Sequence, residues 1–144
     1  MKTTISILII LQAFVIVAVG IIGVSEVKNE QAEVRSIWGK MMREMAAEGY
    51  LSTAVEDHYS EYLQRNGYVQ TIPYFQASHS NPNDRVLRPQ HGVVATDKNV
   101  LHLTIEVEPK PFIKLVKFLR DGQPNFTFTG TRISEYLPPD GGLP

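Results

Sequence analysis

The chain has 144 residues, no cysteine, 43% hydrophobic residues and a formal net charge of −1. Without cysteine no disulfide staples the fold and no thiolate zinc site can form, and a balance so close to neutral offers no basic surface of the kind nucleic acid requires. Once an apolar amino-terminal stretch is set aside, about 120 residues remain, the usual size of one small domain.

From Thr3 to Ser25 there are 23 residues without a charge, most of them Ile, Leu, Val, Ala or Phe. A hydrocarbon layer about 30 Å thick is crossed by roughly 20 helical residues, so residues 5–24 are long enough to span it. Three readings compete: a cleaved secretory signal, a retained signal anchor, and the hydrophobic assembly helix of a filament subunit. Secretory signals have shorter apolar cores of about 7–15 residues, and Ala18-Val19-Gly20 is only a passable cleavage site, so retention is expected. Lys2 precedes the stretch and charges of both signs follow it, which orients the amino end toward the cytoplasm and the remaining 119 residues away from it. That outer part holds 13 basic and 15 acidic residues, hence −2.

Within the apolar helix Ile5, Ile10, Phe14 and Val15 supply surface for packing against other copies. Ser6 and Gln12 are its few polar side chains. The Gln12 amide is costly in lipid unless it bonds across to another helix, where such bonds contribute roughly 0.6–2 kcal/mol, or returns to its own backbone. Gly20 and Gly23 permit close helix approach or local unwinding, although glycine is common in membrane helices in any case.

The helix is expected to continue. No proline occurs between Glu26 and Glu48, and Val27, Val34, Trp38, Met41 and Met45 recur on one helical face. Val34, Trp38, Met41 and Met45 form a heptad-like seam for docking a head, and Gly49 is placed to end the element. The predicted helix exceeds about 40 residues, or roughly 60 Å. A second helix follows, with Thr53 and Glu56 read as a capping box, a Val55-Tyr59-Tyr62-Leu63 stripe, and Asn66-Gly67 as its close. The short connection predicts an antiparallel or sharply bent hairpin.

Beyond Gly67 the pattern turns to strands and turns. Residues 68–76 read as an edge strand or extended segment because of Pro73. Residues 79–84 are a loop on composition, and residues 86–88 and 93–95 are candidate short strands. Residues 100–107 alternate strictly, with Leu101, Leu103, Ile105 and Val107 on one face. Residues 112–119 fit a helix through Phe112, Leu115, Val116 and Leu119, or a strand through Ile113, Leu115, Lys117 and Leu119. After Asp121-Gly122, a last strand places Phe126, Phe128, Gly130 and Arg132 on one face. The tail, residues 138–144, is Pro/Gly-rich. The division is a membrane or assembly helix (1–25), an amphipathic stalk (26–49), a head (50–137) and the tail, and the fold class is α+β with a small antiparallel sheet.

Catalytic patterns are thin. His58, His79, His91 and His102 show no metal-ligand spacing, and there is no nucleophile elbow, P-loop or dinucleotide fingerprint. Asp57, His58 and Glu61 read as a solvated acidic face. Asn125-Phe126-Thr127 fits a glycosylation sequon. No enzyme activity, cofactor or metal is expected.

A basic start, a long apolar helix running into an amphipathic stalk, and a carboxyl-terminal sheet together resemble the type IV pilin superfamily. More narrowly, residues 35–49, the second helix ending Asn66-Gly67 and the closing run Gly130 to Ser134-Glu135-Tyr136 are similar to Tad-type, TadE-like small pilin-like proteins. The resemblance covers most of the chain in layout and few specific residues. It implies a subunit that an ATP-driven machine with platform proteins extracts from the cytoplasmic membrane into an extracellular filament, as a helical polymer of itself or with other pilins. Two departures stand out: the family's fifth mature residue is often a glutamate where this chain has Ile5, and no glycine-ended leader precedes the apolar run. Either Met1 is the mature first residue or the precursor is unprocessed. The alternatives are a single-pass component of a secretion or conjugation complex, and a secreted binding module released by a cut within residues 18–25. A chain beginning at Glu30 is expected to fold, or nearly so.

Overall fold

The computed structural model describes residues 2–69 and 73–139, with side chains from residue 4 onward. One continuous helix, α1 (Lys2–Glu48), runs 47 residues, about 70 Å at 1.5 Å per residue. It ends at Gly49, whose φ of +78° is the left-handed conformation only glycine adopts freely, and whose N–H returns to the Met45 carbonyl at 2.9 Å. A side chain there would also meet the Val86 carbonyl at 2.7 Å. The second helix, α2 (Thr53–Arg65), follows. Ser52, not Thr53, stands at its amino-terminal cap: Ser52 is extended (φ −77°, ψ 145°), and its carbonyl accepts the Glu56 N–H at 3.0 Å. Thr53 therefore lies inside the first turn, and the expected Thr53–Glu56 capping box is not made.

Three tyrosines tie α2 and the chain after it back along α1. Tyr59 donates to Glu44 at 2.8 Å, Tyr62 to Glu33 at 3.0 Å, and Tyr68 to the other oxygen of Glu33 at 2.9 Å. As the tyrosine numbers rise the glutamate numbers fall, which makes the pair an antiparallel hairpin. Burial first, then the hydrogen bond to Glu44, pushes the Tyr59 phenol up to about 12. Tyr68 is raised further by the same two causes, with Glu33 as its acceptor.

The sheet is three-stranded and antiparallel in the order β1 (Phe75–Ala77), β2 (Val100–Val107), β3 (Phe126–Ile133). The alternation read for β2 is realised: Leu101, Leu103, Ile105 and Val107 are fully buried against the helices. Each such side chain contributes roughly 1.5–3 kcal/mol by leaving water. The edge segment expected around Pro73 reduces to the short β1, while residues 70–72 of that segment lie outside the described residues. The candidate strands at 86–88 and 93–95 are not strands. Their amides are claimed elsewhere, Val86 by the Gly49 carbonyl, Arg88 by Tyr136 and Val93 by Gln90, so no ladder forms. A 3₁₀ turn (Asp97–Asn99) leads into β2.

The ambiguous segment is a helix, α3 (Pro111–Asp121). Both edges of β2 are already occupied by β1 and β3, and Pro111 opens the first turn, where its fixed φ suits a helix and its missing N–H costs nothing. The closing run then fastens the head. Ser134 is buried and donates to the Val86 carbonyl, the Glu135 amide reaches the Ala46 carbonyl in the last turn of α1 at 2.8 Å, and Tyr136 stacks with Tyr50 about the Arg85 guanidinium, at 4.9 and 4.8 Å from the ring centroids. Of the predicted tail, residues 140–144 lie outside the described residues, as does Met1.

Candidate functional site: the apolar helix and its junction with the head

The chain splits α1 into two environments. Residues 4–22 of α1 project away from the head: Ile5, Ile10, Phe14 and Val15 are all exposed, Phe14 at 72%, and Gln12 lies exposed among them. Among the described residues this is the one helix long and apolar enough to cross a membrane. An N-terminal apolar helix compatible with membrane anchoring is therefore a property of the structure.

The other half of α1 is buried on one side. Val27, Val34, Ile37, Met41, Met42, Met45 and Ala46 join the buried quartet of β2, with Leu63 of α2 and Phe126 of β3, in a single core. Trp38 is half-buried and donates its indole N–H to the Leu103 carbonyl at 3.0 Å. Its ring lies over Gly130, where a β-carbon would stand 2.6 Å from the indole Cζ2. Gly130 pairs with Leu103 across the ladder, so the glycine opens the gap through which the indole reaches the sheet backbone.

The boundary between the halves falls at Gly23. A β-carbon there would meet Val116 at 3.1 Å and Phe112 at 3.6 Å, so the missing side chain seats α3 on α1 at the last turn of the apolar stretch. Gly20, one turn below, has no atom within 4 Å of that position. The two glycines thus separate: Gly23 makes a close approach within the chain, and Gly20 remains on the open surface. One turn above Val27, Glu30 is buried and 3.6 Å from the Lys110 ammonium at the start of α3. Burial raises its carboxyl above the usual range, against the opposing pull of Lys110.

α3 turns its charged and apolar sides in an unusual sense. Ile113 and Lys117 face inward, the Lys117 ammonium donating to the Gln123 carbonyl at 2.8 Å and lying 5.4 Å from the Phe126 ring centroid. Phe112, Leu115, Phe118 and Leu119 face outward, each at least half exposed. Sequence reasoning noted the Phe112-Leu115-Leu119 spacing as helical but had no means of seeing that this stripe is the uncovered one.

The other features read from the sequence lie apart. His58 lies on α2, His102 on β2 and His79 in the loop after β1, and no group of three potential metal ligands occurs among the described residues. His91 lines a shallow cleft of about 490 Å³ beside the tail, with Leu87, Asn99, Tyr136 and Leu137 among its walls. The Asn125 amide of the sequon donates to Glu106 at 2.8 Å. Comparison with known proteins returns no matching family model, no matching curated protein and no matching solved structure.

Proposed function

We propose that this chain is a pilin-like structural subunit that polymerises through residues 5–24 into an extracellular filament, starting from the cytoplasmic membrane with its amino end inside. The observation that carries the reading is the uncovered apolar half of α1, joined without a break to a half that holds a folded head. A helix apolar all round needs lipid before assembly and other copies of itself afterwards, and a bundle keeps its side chains from water while every backbone group stays paired. The layout resemblance to type IV pilins supports the same reading, and with it an assembly ATPase and platform proteins as partners. Register between copies then rests on packing of Ile5, Ile10, Phe14 and Val15 and on Gln12.

The test is surface assembly. Ile10→Asp or Val15→Asp is expected to abolish fibres in sheared cell-surface material viewed by electron microscopy and probed for this chain, because a carboxylate mid-helix costs at least about 2.5 kcal/mol in the apolar layer. Normal fibres from either variant would remove the assembly role. A second reading, a single-pass anchored component of a secretion or conjugation complex, draws on the outward apolar face of α3 at the foot of the head. It predicts protein that stays in the membrane fraction and yields no fibres even when unaltered.

A further inference from the structure

We infer that α3 is an interfacial helix whose outward face, Phe112, Leu115, Phe118 and Leu119, lies in the outer boundary layer of the bilayer beside the point where α1 emerges. The inference rests on the reading of residues 5–24 as a membrane span. Three observations point to lipid as the occupant.

The first is position. Val116 and Phe112 are seated on Gly23, and residues 5–24 measure about 30 Å along the helix, the thickness of the hydrocarbon layer. When that stretch fills the layer, Gly23 and the α3 residues touching it stand at its outer edge. The second is continuity. The exposed apolar residues of α1 end at Ile21 and Ile22, and the next residue, Gly23, lies against the half-exposed Phe112 of α3, so the two apolar exposures meet at that turn. A bilayer covering the first reaches the second.

The third is the arrangement of charge. Lys110, Lys114 and Arg120 accompany the apolar stripe with partly exposed side chains, against Glu108 and Asp121 as the acidic residues of the same segment. Lys114 is paired with Glu108 and Arg120 with Asp121, so the charges are held to the sides of the stripe. Long basic side chains flanking an apolar stripe can keep their heads in the headgroup layer while the stripe enters the acyl boundary. The inward-facing Lys117, held by Gln123, keeps the outward surface clear of that charge.

The chain has no cysteine, so a single introduced thiol reports one position. The full chain is reconstituted in phosphatidylcholine vesicles with an environment-sensitive fluorophore on Leu119→Cys, and separately on Leu115→Cys, both substitutions at exposed sites. Val15→Cys monitors the middle of the span, and Val94→Cys, 84% exposed on a distant loop, monitors water. Labels at 119 and 115 are expected to shift to the blue and to be quenched about two-fold by lipids brominated high on the acyl chain, as for a face about 5–10 Å into the boundary. The label at 15 should respond instead to deep bromines, and the label at 94 to neither. If position 15 is quenched while 119 and 115 behave like 94, the interfacial helix is refuted and the span stands. If 119 and 115 are dry yet unquenched by any brominated lipid, a protein partner or second copy covers α3 and the inference fails. If position 15 is unquenched, the span itself is refuted and the inference with it.

Discussion

Gly130 and Trp38 show how one absent side chain can join two elements. The indole occupies the space of a β-carbon and spends its only polar hydrogen on a sheet carbonyl, so packing and hydrogen bonding at this point depend on each other. Gly130→Ala is expected to expel the ring, since the contact is with a rigid bicycle and the sheet backbone on either side, at a cost of about 1–3 kcal/mol. Because Trp38 is the single tryptophan, its emission reads the change directly. A red shift at 25 °C and a lower thermal midpoint in detergent micelles are expected, and an unchanged spectrum would show that the ring has another resting place.

At the level of elements, α2 is held to α1 both by Leu63 and Tyr59 in the shared core and by phenols bonded to carboxylates. Tyr59 has a folded pKa of about 12 against an ordinary value near 10, so folding favours its protonated form. The stability this contributes is fully present below about pH 10 and is lost as pH rises toward 12. Tyr59→Phe is expected to be less stable than the unaltered chain at pH 8 by about 1 kcal/mol, the usual worth of such a bond, and to lose less stability between pH 10 and 12. Thermal unfolding followed by circular dichroism across that range checks both halves, and parallel curves for the two proteins would contradict the assignment.

Which elements could be read beforehand follows from how each meets its surroundings. β2 was legible because one face meets the core and the other does not, so its side chains alternate without exception. α1 was legible for its lack of proline and its unbroken seam. α3 was not, because two periodicities coincide in residues 112–119 and its apolar stripe is turned away from the core that normally explains such a stripe. Residues 86–88 and 93–95 have strand-like valines, yet the Val86 and Arg88 amides bond to the end of α1 and to the closing run, partners far away in sequence, and the Val93 amide is taken by a local turn to Gln90. For the junction, Gly23 was noticed as a helix-approach residue, but its neighbour comes from a helix some ninety residues on, which only tertiary packing brings there.

Across the whole molecule the apolar half of α1 and the head are not cleanly separable, because Val27 is fully buried and Glu30 is paired with α3. A chain starting at Glu26 is therefore expected to keep the Trp38 emission of the full protein, while one starting at Glu30 loses Val27 from the core and falls in stability by roughly 0.5–3 kcal/mol. Denaturant unfolding of the two fragments side by side gives the difference, and identical midpoints would place the boundary of the head later than Val27.

The unbroken α1 also bears on motion. Between Lys2 and Glu48 there is no proline, the helix runs unbroken through Gly20, Gly23 and Gly39, and Gly23 at the junction is held by α3. Torque applied to the buried end is handed to the head turn for turn, like a key moving its bow, and any roll of the helix among its neighbours, in lipid or in a bundle, must show outside as an equal change in the compass bearing of the head.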